Sequence, residues 1–225
     1  MAEYINKGIT ALIFDFDGTL AEATLDFTYM NKEAFAAMAK HINLPSSVDG
    51  RLMEILEELE DRHGASTMRH VRKAALDAVR RVEVEAAAKS RLFSYVRPML
   101  AACREQGLKT GIITRNCLEA LLTVFPDIDV HFACIVTRDD VHRVKPDPGH
   151  LLKALEMLHV APENTLMCGD HPMDIAVGKR AGSLTAGIAT GETDFDTLLA
   201  EKPDYCVHSG MELMLSLGLL QHPEL

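Results

Sequence analysis

Three features that would point to particular cellular environments are missing from this chain of 225 residues. Its five cysteines include no Cys-x-x-Cys pair, so we expect free thiols in a reducing compartment. No uninterrupted apolar stretch reaches the ~18 residues that a membrane-spanning helix needs, so we expect no membrane association. Met1 is followed by Ala-Glu-Tyr rather than by basic and then apolar segments, so we expect a cytoplasmic protein without a secretory signal.

The chain also lacks a positive charge balance. Lys and Arg number 23 against 33 Asp and Glu, which gives a formal net charge of -10. This acidity argues against a nucleic-acid partner, because the phosphates of such a partner demand a basic face. It leaves room for a small anionic ligand in a local cationic pocket. The length fits one large domain, or one domain with a smaller insert.

Short apolar runs alternate with segments of helical periodicity along most of the chain. We interpret six runs as strands, at residues 11–14, 109–114, 133–137, 165–168, 184–189 and 205–207. Helices are predicted between the later runs, at 99–105, 118–124, 149–158, 174–181 and 195–200. This alternation, with strands that are apolar almost throughout, predicts an α/β fold with a parallel sheet covered on both faces.

The segment from about residue 22 to residue 92 interrupts this alternation. It contains no convincing strand, and residues 29–42, 47–62 and 67–89 have the pattern of helices. In the last of these, an apolar stripe recurs every three or four residues, at Met68, Val71, Ala75, Val79 and Val82. We therefore predict a helical insert at 21–92, within an α/β core formed by 1–20 and 93–225.

Two carboxylates follow the first apolar run, in the sequence Leu12-Ile-Phe-Asp-Phe-Asp-Gly-Thr-Leu-Ala21. Alternate strand residues share a face, so Asp15 and Asp17 project the same way if the strand persists that far. Neighbouring carboxylates repel each other, and a fold tolerates this when a cation or a shared proton offsets the repulsion. The pattern indicates a metal site in which one carboxylate is available for chemistry.

Polar residues also follow the next three predicted strands, where an open parallel sheet binds its ligands. They are Thr114, Arg115 and Asn116 after the second strand, Lys145 after the third, and Gly169, Asp170 and Asp174 after the fourth. Carboxylate oxygens suit a hard cation such as Mg²⁺. A phosphate on that cation could be neutralised by an ammonium and receive a hydrogen bond from a hydroxyl. Main-chain N–H groups in the loops could bind its remaining oxygens.

Four motifs in order resemble the haloacid dehalogenase-like superfamily, in its phosphoglycolate-phosphatase-like branch with a helical cap. They are Asp15-Phe-Asp-Gly-Thr19, Thr114 in Ile112-Ile-Thr-Arg-Asn116, Lys145-Pro-Asp-Pro148, and Gly169-Asp-His-Pro-Met-Asp174. The resemblance covers the chain from its start to about residue 190. It implies a doubly wound, Rossmann-like core, a cap at 21–92 that closes over the crevice, and a Mg²⁺-dependent phosphatase acting on a small phosphorylated metabolite.

The resemblance also implies a role for each motif residue. Asp15 would attack phosphorus and form an aspartyl phosphate, and Asp17 would act as acid and then as base. The metal would be held by Asp15, the main-chain carbonyl of Asp17 and Asp170, with Asp174 bound to it directly or through a water. The phosphate would be bound by residues of two loops, namely Thr114, Arg115, Asn116 and Lys145. We expect a monomer or a weak homodimer.

Other interpretations of these residues stay open at this stage. Asp174 could simply complement a helix N-terminus, His171 could face solvent or support the metal ligands, and Arg115 could reach substrate or end in solvent. A basic cluster in the insert, formed by Arg69, His70, Arg72 and Lys73, is more typical of a solvated helix face than of a substrate site. A phosphomutase or a non-catalytic sensor of a phosphorylated metabolite are alternative functions, and Asp17 disfavours a dehalogenase.

Overall fold

In the computed structural model, residues 8–44 and 52–219 are described. Their six strands form one sheet in the order β3-β2-β1-β4-β5-β6, and every neighbouring pair is parallel. The strands are β1 (Ala11–Phe14), β2 (Lys109–Ile113), β3 (Cys134–Val136), β4 (Thr165–Gly169), β5 (Leu184–Ile188) and β6 (Tyr205–Val207). The predicted doubly wound parallel sheet is confirmed, with each strand boundary within one residue of the prediction.

Helices precede β2 and fill the connections between the later strands. They are α1 (Phe27–Met38), α2 (Leu52–His63), α3 (Ala65–Ala87), α4 (Val96–Glu105), α5 (Leu118–Val124), α6 (Ile128–His131), α7 (Pro148–Leu158), α8 (Pro172–Ala181), α9 (Phe195–Ala200) and α10 (Gly210–Ser216), with 3-10 turns at Arg138–Asp140 and Pro162–Asn164. The short α6 and the terminal α10 were not predicted. Residues 45–51, which include the predicted start of α2, lie outside the described residues.

The chain divides into two compact units, Met1–Ala23 with Ser90–Leu225, and Thr24–Lys89. The second unit consists of α1, α2 and α3, which share an apolar core. On α3 the stripe predicted from the sequence is buried throughout, because its residues fall on one face at helical spacing: Met68, Val71, Ala75, Val79 and Val82. The first unit contains the whole sheet.

Alternate residues of β1 enter two separate apolar cores, one on each face of the sheet. Leu12 and Phe14 pack on one face with the core that includes residues of α4 and α5. Ala11 and Ile13 pack on the other face with residues of α7 and α8. A strand buried on both sides needs apolar residues at every position, which explains why its sequence is a continuous apolar run.

The position of β1 between β2 and β4 brings three chain segments to one edge of the sheet. Phe14, the last residue of β1, is aligned with Ile112 of β2 and with Cys168 of β4. The strand order reverses its direction between β1 and β4, which is where an open α/β sheet forms a ligand-binding crevice. The loops that follow these three strands carry Asp15, Thr114 and Asp170 respectively.

Two further expectations concern the environment of the protein. Within residues 8–44 and 52–219, no helix combines the length and the apolar character needed to cross a bilayer. All five cysteines are free thiols, and four of them are buried. The expectation of free thiols is therefore confirmed.

Candidate active site

The loop after β1 positions Asp15 and Asp17 differently from the strand geometry assumed in the sequence analysis. Because β1 ends at Phe14, the two aspartates do not alternate along a strand. The N–H of Asp15 still donates to the carbonyl of Cys168 in β4, at 2.9 Å, and the chain then turns at Gly18, whose φ is 80°. A left-handed conformation of this kind favours glycine. The strand does not continue as far as Asp17, so the expectation that Asp15 and Asp17 project from the same face of a strand does not apply.

Lys145 connects the first motif to the fourth. Its side chain is buried, and its Nζ lies 2.8 Å from Oδ1 of Asp15 and 2.6 Å from Oδ1 of Asp174. Burial alone would lower the pKa of this ammonium, but the two carboxylates outweigh burial and raise the pKa above its usual value. The lysine therefore stays charged between the two aspartates.

Three carboxylates converge beside this lysine. Oxygen atoms of Asp15, Asp170 and Asp174 lie within 4.8 Å of one another. Burial, and then the negative charge of the neighbouring carboxylates, raises the pKa of Asp170, while burial, opposed by Lys145, raises the pKa of Asp174. Three carboxylates and one ammonium carry a net charge of 1 − 3 = −2 when all are ionised. A divalent cation with a preference for oxygen ligands, such as Mg²⁺, fits this set in charge and in chemistry.

The fourth motif holds Asp174 by both of its oxygens. Oδ1 accepts from Lys145, and Oδ2 accepts from the N–H of His171 at 3.1 Å. The Nδ1 of His171 accepts in turn from the N–H of Met173, so these two residues form a reciprocal cap at the start of α8. Asp174 therefore stabilises a helix N-terminus and faces the carboxylate cluster at the same time, and His171 acts as a helix cap.

The loop after β2 carries the third set of predicted residues. Thr114 is buried, its N–H donates to the carbonyl of Val136, and its Oγ1 accepts from the N–H of Asn116 at 3.0 Å. The side chain of Asn116 donates from Nδ2 to Oδ2 of Asp17 at 2.9 Å. The carbonyl of Arg115 accepts from the Nη1 of Arg138 at 2.9 Å. The loop thus brings the side chain of Asn116 to Asp17. The hydrogen bond from Arg138 connects the main chain of Arg115 to the 3-10 turn after β3.

The sequence profile of the haloacid dehalogenase-like hydrolases matches residues 12–188. The chain belongs to this family. The matched range contains all four motifs and the whole carboxylate cluster, so the resemblance inferred from the motifs is confirmed.

Relatives of the chain include hydrolases with several kinds of name. The pyrophosphatase PpaX of Anoxybacillus flavithermus is 38% identical over 118 residues, which are 51% of this chain and 54% of the relative. The chain thus aligns with about half the length of the curated relatives that it matches. A crystal structure from Bacteroides fragilis, whose protein is provisionally named a haloacid dehalogenase-like hydrolase, is similar to this one. Its TM-score is 0.65 at 25% identity, and the match covers 91% of this chain and 99% of that protein.

A third similar structure is described as a predicted phosphoglycolate phosphatase from Haemophilus somnus. Its TM-score is 0.63 at 18% identity, and the match covers 92% of this chain and 97% of that protein. At this identity the likeness concerns the fold. Together, these matches support a hydrolase core of the haloacid dehalogenase-like type.

In this member of the family, His150 is a site residue that the sequence analysis missed. It is fully buried on α7, its Nδ1 accepts from the N–H of Lys145 at 3.1 Å, and its Nε2 lies 3.1 Å from the carbonyl of Val136. That carbonyl also accepts from Thr114, so the imidazole joins two motif loops. Burial and the charge of Lys145 lower the pKa of His150 to about 4. One signal was present: a histidine on the otherwise apolar face of a predicted helix.

A second group of residues surrounds Asp170, of which the sequence analysis named Gly18 and Thr19 only as motif residues and missed Thr190 and Gly191. The Oγ1 of Thr19 donates to Oδ1 of Asp170 at 2.9 Å, and a Cβ on Gly18 or Gly191 would overlap its carboxylate. The Oγ1 of Thr190 donates to the carbonyl of Gly18 at 2.6 Å. Thr190 and Gly191 follow β5. The sequence analysis considered only the residues after the first four strands, and the same rule applied to the fifth strand points to these two. Such packing fixes the position of the Asp170 carboxylate.

The basic cluster of the insert lies on α3, in the unit Thr24–Lys89. Arg69, His70 and Lys73 are exposed, and Lys73 forms an exposed ion pair with Asp77 at 2.6 Å. Arg72 lies 3.4 Å from Glu60. The cluster has the exposure and pairing of a solvated helix face, as the sequence pattern suggested.

Proposed function

We propose that the protein is a Mg²⁺-dependent phosphatase that hydrolyses a small phosphomonoester through an aspartyl phosphate at Asp15. The observation that carries this proposal is the clustering of Asp15, Lys145, Asp170 and Asp174 at the carboxyl edge of the sheet. A stability role alone does not account for three carboxylates, two of them buried and one partly buried, beside one buried ammonium, since burying unbalanced charge is costly.

Asp15 is the nucleophile in this proposal. Two donors hold its Oδ1, namely the ammonium of Lys145 at 2.8 Å and the N–H of Phe16 at 2.7 Å. These donors orient the carboxylate, as an attacking carboxylate requires. We assign attack on phosphorus to the other oxygen of this carboxylate, Oδ2.

The transferred phosphoryl group is bound by donors from the neighbouring loops. The ammonium of Lys145 has three N–H groups, of which Asp15 and Asp174 receive two, and the third can donate to a phosphoryl oxygen. The hydroxyl of Thr114 accepts from Asn116 and can donate its own proton to a second oxygen. Positioning and charge stabilisation of this kind account for most of the catalysis of phosphoryl transfer.

Asp17 supplies and removes the protons. As the bond from Asp15 to phosphorus forms and the bond to the leaving oxygen breaks, Asp17 gives its proton to that oxygen. Asp17 then accepts a proton from the water whose oxygen attacks phosphorus, and the bond to Asp15 breaks. The products are an alcohol and inorganic phosphate, and both aspartates return to their starting states.

Mg²⁺ fits the oxygen donors of this site, and Asp15, Asp170, Asp174 and the carbonyl of Asp17 would hold it. When bound, it offsets the negative charge of the carboxylates and of the phosphoryl oxygens. The packing of Thr19, Gly18 and Gly191 around Asp170 keeps this ligand in place. The helical unit Thr24–Lys89 would serve as a cap that excludes bulk water and selects the substrate.

The test is release of inorganic phosphate from p-nitrophenyl phosphate and from a panel of phosphorylated metabolites, with and without Mg²⁺. Inorganic pyrophosphate belongs in the panel, because PpaX relatives are named pyrophosphatases. We expect Mg²⁺-dependent release that Asp15→Asn abolishes. Asp194→Asn is the matched control, since Asp194 caps α9 and asparagine caps helices equally well.

Three outcomes would contradict the proposal. The first is unchanged phosphate release by the Asp15→Asn variant. The second is equal activity with Mg²⁺ and with a chelator. The third is conversion of a sugar phosphate to its isomer without phosphate release, which would indicate a phosphomutase.

A further inference from the structure

Asn116 is held by hydrogen bonds at three of its atoms, and one of them reaches the proposed acid and base. Its buried side chain donates from Nδ2 to Oδ2 of Asp17 at 2.9 Å. Its Oδ1 accepts from the N–H of Cys117 at 2.8 Å, and its own N–H donates to Oγ1 of Thr114 at 3.0 Å. The sequence analysis expected Asn116 to bind phosphate, which stays a prediction, and the side chain of Asn116 donates to the carboxylate of Asp17.

The partners of the amide determine its orientation. An N–H group lies on one side and a carboxylate oxygen on the other. Rotating the amide by 180° would place an NH₂ against the N–H of Cys117 and an oxygen against the carboxylate of Asp17, and both contacts would be repulsive. The NH₂ group therefore faces Asp17, where it can only donate.

The donor at Oδ2 restrains the position of the Asp17 carboxylate. The amide of Asn116 is itself held by the N–H of Cys117, so its hydrogen bond limits the orientations that the side chain of Asp17 can adopt. We propose that Asn116 is the positioning residue of Asp17, and that it holds the carboxyl group where it exchanges protons with the leaving group and the attacking water. This inference rests on the proposed function.

The same loop also orients the hydroxyl assigned to the phosphoryl group. The N–H of Asn116 binds Oγ1 of Thr114, while its side chain binds Asp17. One residue thus sets the spacing between the phosphate-binding hydroxyl and the proton donor. A displacement of Asn116 would separate the acid from the leaving oxygen without removing any charged group from the site.

The dependence of the rate on the leaving group tests this role. A nitrophenolate leaves without protonation, whereas an alkoxide needs the acid, so a misplaced acid affects alkyl phosphates selectively. For Asn116→Ala we expect kcat/KM to fall at least about tenfold more for glycerol 2-phosphate than for p-nitrophenyl phosphate. Asn116→Leu fills more space than Asn116→Ala but also lacks the amide. It should show the same larger loss of kcat/KM for glycerol 2-phosphate if the amide, and not packing, is responsible. Melting curves of each variant establish that it is folded.

Two reference variants make the outcome decisive. Asp17→Asn removes the acid and should show the same selectivity at least as strongly. Asn164→Ala removes an amide that donates to the carbonyl of Gly8 at 2.9 Å, far along the sheet from the catalytic edge, and should show no selectivity.

The outcomes separate this inference from the function on which it rests. If Asp17→Asn lowers kcat/KM equally for both substrates, the acid role of Asp17 fails, and the inference fails with it. If Asp17→Asn is selective but both Asn116 variants lower the two values equally, or leave them unchanged, the inference alone is overturned. Selectivity in all three variants supports it.

Discussion

The Nζ of Lys145 lies 2.6 Å from Oδ1 of Asp174, an aspartate that has no exposed surface. Together with the contact to Asp15, this pair places a positive charge between two of the three clustered carboxylates. Removing one partner of a buried ion pair leaves the other charge uncompensated, which is far more costly than losing a pair at the surface.

Lys145→Met is expected to abolish most activity and to destabilise the fold. Loss of the ammonium leaves the buried Asp174 and the partly buried Asp15 without their partner, which costs about 3–5 kcal/mol of unfolding free energy. Loss of charge stabilisation in the transition state lowers kcat at least about a hundredfold. Urea denaturation and phosphate release measure the two effects.

Lys73→Met is the control for this variant. It removes an ion pair that is mostly exposed, with 72% and 51% of the two side chains accessible, so both measurements should stay close to those of the unmodified protein. Equal effects of the two substitutions would contradict the importance of the buried pair.

Gly191→Ala is expected to weaken metal binding. The added Cβ would overlap the carboxylate of Asp170 and displace it from the cluster. The Mg²⁺ concentration that gives half-maximal activity should rise several-fold, in the same direction as for Asp170→Asn. A Mg²⁺ titration of activity, together with calorimetry of Mg²⁺ binding, measures the change.

Glu192→Ala provides the comparison for the Gly191 substitution, because Glu192 is the exposed neighbour in the same loop. Its Mg²⁺ titration should match that of the unmodified protein. A normal titration for Gly191→Ala would show that Asp170 is not a ligand or that the loop yields easily.

His150 is expected to make stability depend on pH. In the folded protein, burial and Lys145 lower its pKa to about 4, against an opposing effect of Asp15 and Asp140, while an unfolded histidine titrates near its usual 6.5. Between these values the unfolded state binds more protons. Stability therefore falls as pH falls from about 6.5 to about 4, by on the order of 3 kcal/mol, and does not fall further from this residue at lower pH.

The measurement is urea denaturation at several pH values, for the unmodified protein and for His150→Gln. Other titrating groups contribute to both curves, so the difference between the curves isolates His150. The difference should change across this window and be constant above about pH 7.5. A difference that is the same at every pH would contradict a buried neutral imidazole.

The sheet was predictable because its strands are buried on both faces. The run Leu12-Ile-Phe14 has no polar residue, and β1 ends where Asp15 begins, so composition alone marks the boundary. The short α6, with four residues from Ile128 to His131, shows no full helical period and could not be detected. Helix periodicity therefore identified long elements and missed the shortest one.

The convergence of the charged residues was also predictable, because the loops that follow the strands of an open parallel sheet meet at one edge of the sheet. The structure adds the strand order, in which β1 lies beside β4 and Asp15 lies near Asp170. Contacts that depend on loop conformation could not be predicted in this way. The hydrogen bond from Asn116 to Asp17, and the position of His150 beneath Lys145, follow from local turns that the periodicity of a sequence does not encode.

The central claim is that Asp15 receives the phosphoryl group, and mass spectrometry of acid-quenched protein tests it most directly. Asp17→Asn, which lacks the base for the second step, is incubated with p-nitrophenyl phosphate and Mg²⁺, quenched and digested. We expect one phosphoryl group on the peptide that contains Asp15. Hydroxylamine should remove it, and it should be absent from the double variant that carries both Asp15→Asn and Asp17→Asn. A phosphoryl group on another residue, or full turnover by the Asp15→Asn protein, would contradict the account.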